Sequence, residues 1–127
     1  MPANFRPETA ADYPAIRRVV EDAFGRPVEA DLIDHLRREG YLRLAMVAEI
    51  DGQIVGHVLY SDLTITTAGG VVMALALAPM AIATAWQRQG IGSQLIPHSL
   101  DACRTAGHRI AIALGHAMGA TGTTLVG

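Results

Sequence analysis

The segment Gln87-Arg88-Gln89-Gly90-Ile91-Gly92-Ser93 is the part of this sequence best suited to chemistry. Two glycines separated by one residue allow a tight backbone turn and a close approach to a ligand. A helix that begins behind such a turn presents unpaired N–H groups and the positive end of its dipole, which together bind anions. Arg88 adds a mobile positive charge. The pattern favours a phosphate or diphosphate site, although Gly90 and Gly92 would be equally expected in a plain strand-to-helix connection.

Two common phosphate motifs differ from this segment. The lysine and hydroxyl pair of a P-loop is missing, and all ten basic residues of the chain are arginines. The third glycine of a dinucleotide fingerprint is replaced by Leu95. The sequence therefore disfavours both nucleoside triphosphate hydrolysis and NAD binding.

The composition indicates one folded domain over residues 1–127. Half of the residues are apolar and only 17% are charged, and the formal net charge of -2 disfavours general nucleic-acid binding. The single cysteine, Cys103, excludes an internal disulfide, and no spacing of His or Cys predicts a metal site. The N-terminus does not resemble a signal peptide, and no apolar run is long enough to span a bilayer. These features predict a soluble cytoplasmic protein without metal, membrane or nucleic-acid partners.

The apolar periodicity predicts an α/β (α+β) domain that places this segment between a strand and a helix. The predicted strands are 4–6, 42–50, 54–66, 71–83 and 109–114, and the predicted helices are one ending at Phe24, one over 29–38 and one over 90–106. The last two strands and the helix between them form a βαβ unit, which favours a parallel pair within a mixed sheet. Pro97 lies inside the last helix, where a proline is expected to kink or divide it at a cost of about 3 kcal/mol.

The stretch from Met80 to Leu95 resembles the acetyl-CoA-binding motif of the GCN5-related N-acetyltransferase (GNAT) superfamily, Arg/Gln-x-x-Gly-x-Gly/Ala, with Gln87 in its first position. The resemblance extends from the first strand to Ala-Gly-His-Arg before the fifth. It implies a mostly antiparallel sheet with a parallel, splayed fourth and fifth strand and flanking helices. It also implies that acetyl-CoA is a cosubstrate held by pantetheine-pairing residues Met80, Ala81, Ile82 and Ala83 and by diphosphate-binding residues Gln87, Arg88, Gln89, Gly90, Ile91, Gly92 and Ser93.

The implied reaction is direct transfer of the acetyl group to a primary amine of a small molecule or peptide. Such a reaction needs a base for the amine, an N–H donor for the oxyanion, expected near Ile82, and an acid for the thiolate. His116 and Tyr60 are the candidate catalytic side chains, and His57 and Asp62 could line an acceptor pocket beside Tyr60. A plain structural role remains open for each of them.

The sequence departs from the family pattern after the fifth strand. Members usually continue into a tyrosine-bearing helix and two strands, whereas residues 116–127 contain no tyrosine. We therefore expect a C-terminally truncated fold with a flexible or strand-exchanging tail and at most a short strand at Thr123–Val126. The fifth strand would then have an unpaired edge, which predicts a homodimer or larger oligomer. The alternatives to an enzyme are a CoA-binding or interaction module without turnover and a chain that retains only the fold. Thr84, where a proline is frequent in the family, is a smaller departure.

Overall fold

A six-stranded sheet forms the centre of the fold in the computed structural model, which describes residues 2–108, 110–114 and 123–126. Its strands, adjacent in chain order, are β1 (Asn4–Pro7), β2 (Leu42–Ile50), β3 (Gln53–Thr67), β4 (Gly70–Ile82), β5 (Ala111–Leu114) and β6 (Thr123–Val126). Among these described strands, only β4 and β5 pair in parallel. The structure thus confirms the predicted mixed, mostly antiparallel sheet.

Three helices cover the two faces of this sheet: α1 (Tyr13–Phe24), α2 (Val28–Arg38) and α3 (Ile91–Thr105). The residues Ile16, Val20 and Ile33 of α1 and α2 pack against one face, where Leu59 of β3 points. Leu95 of α3 packs against the other face, beside Tyr60. Because successive side chains of a strand alternate between faces, β3 contributes to both cores. None of the described helices is long and apolar enough to cross a membrane.

The β2–β3 hairpin forms at the predicted turn. Asp51 and Gly52 both have positive φ angles, 50° and 77°. A two-residue turn with both central residues in this region matches the twist of the strands it joins, and aspartate followed by glycine is a preferred pair there. This local signal fixes the register of the hairpin.

Helix α3 continues through Pro97, so the expectation that proline divides this helix is wrong. Buried residues lie on both sides of the proline, among them Leu95 and Ser99, and they hold the helix against the sheet. Pro97 itself is exposed, so the carbonyl that loses its N–H partner can face water. Tertiary packing here outweighs the local preference against proline.

The expectation of an unpaired edge on β5 is also wrong. Strand β6 pairs antiparallel with β5, in a register that runs from Ala111 opposite Val126 to Leu114 opposite Thr123. Pairing within the chain covers this edge, so the edge gives no reason for a second copy to bind. Of the predicted tail, residues 116–122 and 127 lie outside the described residues.

Candidate functional site

A bulge in β4 marks the beginning of the candidate site. Tyr60 is opposite Leu77 and Val58 is opposite Met80, so Ala78 and Pro79 together oppose the single residue between them on β3. A bulge of this kind bends the strand and interrupts its pairing. On the other edge of β4, the parallel pairing with β5 ends at Leu77. Among the described residues, no strand pairs with this edge of β4 beyond the bulge.

Beyond the bulge, the edge of β4 opposite β3 carries backbone groups that pair with no described strand. Ala83 donates its N–H to the carbonyl of Val55 on β3 at 2.8 Å. Alternate residues of a strand direct their backbone groups to the same edge, so Ala81 also faces β3, whereas Met80 and Ile82 face the opposite edge. The side chains of Ala81 and Ile82 are buried, only 2% and 3% exposed. This segment therefore offers backbone N–H and C=O groups rather than side chains to a ligand.

The β4–α3 loop, residues 84–90, carries the predicted anion-binding turn. A short 3-10 turn spans Thr84–Trp86, after which Arg88 and Gly90 adopt positive φ angles of 63° and 83°. A left-handed residue followed by a helical one directs successive N–H groups into one concave surface, which binds anions. At Gly90 this geometry occurs immediately before α3 begins.

Six consecutive N–H groups, those of residues 88–93, have no acceptor within the described part of the chain. The first intrahelical bond of α3 is donated by Gln94 to the carbonyl of Gly90, at 3.2 Å. Unpaired N–H groups and the positive helix end both favour a bound anion. The exposed guanidinium of Arg88, which also has no partner among these residues, adds a full positive charge beside them.

A cavity of about 210 Å³ lies between this loop and the end of β4. It is lined by Met80, Ile82, Trp86, Gln87, Arg88, Gly90, Ile91, Gly92, Ser93 and Ile96. A Cβ atom on Gly92 would lie 3.8 Å from both Ile82 Cγ1 and Met80 Cε. Any larger side chain at this position would therefore extend into the space between the first turn of α3 and β4.

Two predicted site residues, Gln87 and Gln89, support the loop with their side chains. Gln87 Nε2 donates to the carbonyl of Ile82 at 2.9 Å, and Gln89 Nε2 donates to the carbonyl of Ala85 at 3.2 Å. These bonds close the loop on itself and leave the backbone N–H groups free. The signature glutamine thus shapes the turn, which its sequence position alone did not indicate.

The family model described as "Acetyltransferase (GNAT) domain" matches residues 4–122 of the chain. The chain belongs to the GNAT acetyltransferase family. This finding confirms the resemblance carried by the glycine motif and the order of the elements.

Several relatives of this GNAT chain are known. The "Uncharacterized N-acetyltransferase YhbS" of Escherichia coli is 32% identical over 111 residues, which are 87% of this chain and 65% of YhbS. A GNAT family acetyltransferase from Brucella melitensis, solved in complex with acetyl-CoA, is 36% identical with a TM-score of 0.81, covering 92% of this chain and 78% of that one. The structure of YhbS in complex with CoA aligns with a TM-score of 0.79 at 32% identity, over 89% of this chain and 62% of YhbS. The chain thus spans just under two thirds of the length of this curated relative.

In this GNAT chain the candidate catalytic residue Tyr60 lies in the core. Its side chain is fully buried, and its hydroxyl is 2.8 Å from Ser99 Oγ on α3. Burial raises the pKa of Tyr60 to about 12, although the bond with Ser99 opposes that shift. This placement gives Tyr60 a packing role in the core. The other candidate, His116, lies outside the described residues.

The structure does not bring the predicted acceptor-pocket residues together. His57 points to the face covered by α1 and α2, where its Nε2 is 2.9 Å from Glu8 Oε1. Tyr60 points to the opposite face, and Asp62 pairs with Arg43 at 2.6 Å. The interpretation of His57, Tyr60 and Asp62 as one pocket is therefore wrong, since an odd spacing along a strand separates His57 from the other two.

A buried polar cluster of Glu8, His57 and Arg37 was not found from the sequence. Arg37 Nη2 donates to Glu8 Oε1 at 2.7 Å, and the Arg37 guanidinium lies 3.8 Å from the ring centre of Tyr13. Burial opposes ionisation of Glu8, but its bonds with His57 and Arg37 prevail and lower its pKa. Burial and the nearby Arg37 lower the pKa of His57, although the Glu8 carboxylate opposes that shift. Its Nδ1 has no partner among the described residues.

Proposed function

We propose that this chain is an acetyl-CoA-dependent N-acetyltransferase that acts on a primary amine of a small molecule or peptide. The observation that carries the proposal is the row of N–H groups at residues 88–93 that have no acceptor among the described residues, beside the edge of β4 that pairs with no described strand beyond Leu77. A diphosphate needs several convergent donors and positive charge, and a pantetheine arm needs backbone partners along an extended path. The N–H groups of the loop suit the first requirement, and the neighbouring backbone of β4 suits the second.

In this proposal, different residues of the site bind different parts of acetyl-CoA. The N–H groups of the loop and of the first turn of α3 hold the diphosphate, and Arg88 neutralises part of its charge. Met80 offers a donor and an acceptor to the pantetheine amides. The carbonyl of Ile82 is already occupied by Gln87, so Ile82 contributes only its N–H, which suits it to stabilise an oxyanion. The thioester then lies beside the bulge, where β4 and β5 separate.

The proposed step is direct attack of a neutral amine on the thioester carbonyl. A C–N bond forms as the C–S bond breaks, the nitrogen releases a proton, and the departing thiolate takes one up. None of the described residues that line the 210 Å³ cavity is a carboxylate, histidine or tyrosine. The proposed base or acid is His116 or a water molecule, since Tyr60 is buried too deeply to serve.

A CoA-binding module without turnover is the second candidate function. The absence of an acid or base among these described lining residues favours it, because anion binding by backbone groups needs no proton transfer. Both candidates share the same ligand and differ only in release of the thiol.

Titration calorimetry with acetyl-CoA and with CoA tests the shared claim. We expect saturable binding of both, and no heat up to millimolar ligand would remove both candidate functions. A free-thiol assay with a panel of small and peptidyl amines then separates the two. Thiol release that depends on an added amine supports the enzyme, whereas binding without release over the whole panel supports the module.

A further inference from the structure

Asp22, in the last turn of α1, hydrogen-bonds the residue that begins the β4–α3 loop. The N–H of Thr84 donates to Asp22 Oδ2 at 2.7 Å. The hydroxyl of Thr84 lies 3.1 Å from Oδ1 and 3.0 Å from Oδ2 of the same carboxylate. Hydrogen bonds to an ionised acceptor are about twice as strong as neutral ones. One carboxylate therefore fixes both the backbone and the side chain of Thr84.

The contact differs in kind from the other bonds that shape the loop. Gln87 and Gln89 bond carbonyls within or just before the loop, and Trp86 donates its N–H to the carbonyl of Ala83. Within the described residues, the other hydrogen bonds of residues 84–90 stay in the loop or run to the adjoining ends of β4 and α3, whereas Asp22 belongs to a separate element. It thus ties the loop to the helical layer of the protein.

Helix chemistry alone gives no reason for an aspartate at this position. The last turn of a helix is the negative end of its dipole, where an anion is unfavourable. The last turn of α1 contains no basic residue, and Asp22 makes no ion pair within the described part of the chain. The role of the Asp22 carboxylate in the fold is therefore its contact with Thr84.

We propose that Asp22 is a positioning residue for the CoA diphosphate, an inference that rests on the proposed function. The donors at residues 88–93 bind the diphosphate only if the loop holds them convergent. Tying the first residue of the loop to α1 reduces the conformations that binding must otherwise remove. Asp22 acts through Thr84 and does not touch the ligand.

The first test compares Asp22→Ala with Glu21→Ala. Both variants remove one negative charge from the same turn of α1, but the ion pair that Glu21 makes within the described residues is with Arg17, at 3.4 Å. We expect Asp22→Ala to raise the Kd for CoA about tenfold, because Thr84 loses the carboxylate that fixes its N–H and hydroxyl, and Glu21→Ala to leave it within twofold. If the protein turns over, the KM for acetyl-CoA should rise while kcat and the KM for the amine stay within twofold.

Trp86 provides a second readout that needs no ligand. It is the only tryptophan of the chain and lies in the loop, so its fluorescence reports the loop alone. We expect acrylamide to quench Trp86 more efficiently in Asp22→Ala than in the parent, and equally in Glu21→Ala and the parent. If Asp22→Ala instead loses structure generally, its Tm falls below that of the parent.

Thr84→Pro tests whether the hydrogen bonds between Asp22 and Thr84 act by fixing the conformation of the loop. Proline cannot donate to Asp22, but it fixes φ near the value needed at the first position of a turn. We expect Thr84→Pro to retain CoA binding and to make a further Asp22→Ala substitution neutral. Thr84→Val keeps the N–H and should lose less affinity than Asp22→Ala.

Two results would overturn the inference. One is a Kd and a quenching constant in Asp22→Ala equal to those of the parent, and the other is an equal loss of CoA affinity in Glu21→Ala. A parent protein that binds no CoA would instead refute the proposed function itself, so the two failures are distinguishable.

Discussion

Gly92 is the residue at which the absence of a side chain matters most for the proposed ligand. Its φ is not in the left-handed region, and an added Cβ would meet Ile82 and Met80 at the ordinary contact distance of 3.8 Å. The fold would therefore accept a side chain there. The space beyond that Cβ is the path that leads from the loop to the edge of β4.

We expect Gly92→Leu to remain folded and to raise the Kd for CoA at least about thirtyfold, because leucine fills this path and favours the helix over glycine. Calorimetry measures the Kd, and a thermal unfolding scan shows whether the variant remains folded. The matched control is Gly69→Leu in the β3–β4 turn, where only Thr67 Oγ1 lies within 4 Å of the added Cβ. Normal CoA affinity in folded Gly92→Leu would contradict the proposed path.

At the scale of the element, α3 contains a proline that its packing tolerates. Pro97 removes one backbone bond from the exposed side of the helix, while the buried stripe on the other side stays in contact with the sheet. The first turn, which carries the proposed diphosphate donors, precedes the missing bond. A substitution of Pro97 should therefore change the stability of the protein without changing CoA binding.

We expect Pro97→Ala to raise the free energy of unfolding by about 1–3 kcal/mol, because the restored N–H completes the helix ladder. CoA affinity should stay within twofold of the parent. Pro14 lies at the start of α1, where proline replaces an N–H that has no helical partner, so Pro14→Ala should give no such gain. Urea unfolding of both variants is the measurement, and equal effects would contradict this account.

At the scale of the whole molecule, the Glu8, His57 and Arg37 cluster joins the segment after β1 to β3 and α2. Because the pKa of folded His57 lies below its ordinary value of 6.5, the unfolded chain takes up a proton that the folded chain does not. Stability is therefore fully present above pH 6.5 and falls as the pH decreases below it. Glu8, whose pKa is lowered from 4.5, adds a second loss under more acidic conditions.

We expect the free energy of unfolding to fall between pH 6.5 and pH 5 by up to about 1.4 kcal/mol per pH unit, the value for one proton. Urea unfolding at several pH values measures the slope. His57→Leu should be less stable at pH 7.5 but should show a flatter slope in this range. An unchanged slope in the variant would assign the pH dependence to other groups.

The pairing of β6 with β5 also acts at the scale of the whole molecule. A variant that ends at residue 122 would expose the backbone edge of β5, which is apolar and prone to pair with another chain. We expect this variant to show a larger apparent mass in light scattering than the full chain at the same concentration, with the difference growing as concentration rises. Equal masses throughout would show that β6 does not protect the edge. The same measurement on the full chain tests the predicted homodimer or larger oligomer and exchange of the tail.

The sequence by itself determined the features that depend on neighbouring residues. The turn at Asp51 and Gly52, the apolar β4 and the glycine motif before α3 each arise within a few positions, so local preference and periodicity predict them. The family resemblance followed from the same local order. The N–H groups proposed to bind CoA were found in this way because a helix start always leaves them unpaired.

Only the tertiary structure decided which distant side chains meet. Asp22 and Thr84 are 62 positions apart, His57 and Glu8 are 49 apart, and Tyr60 and Ser99 are 39 apart. These contacts depend on strand register and on how each helix packs on the sheet, and a shift of one residue in a strand turns a side chain to the other face. Packing across the sheet thus places Tyr60 in the core and brings Asp22 to the loop.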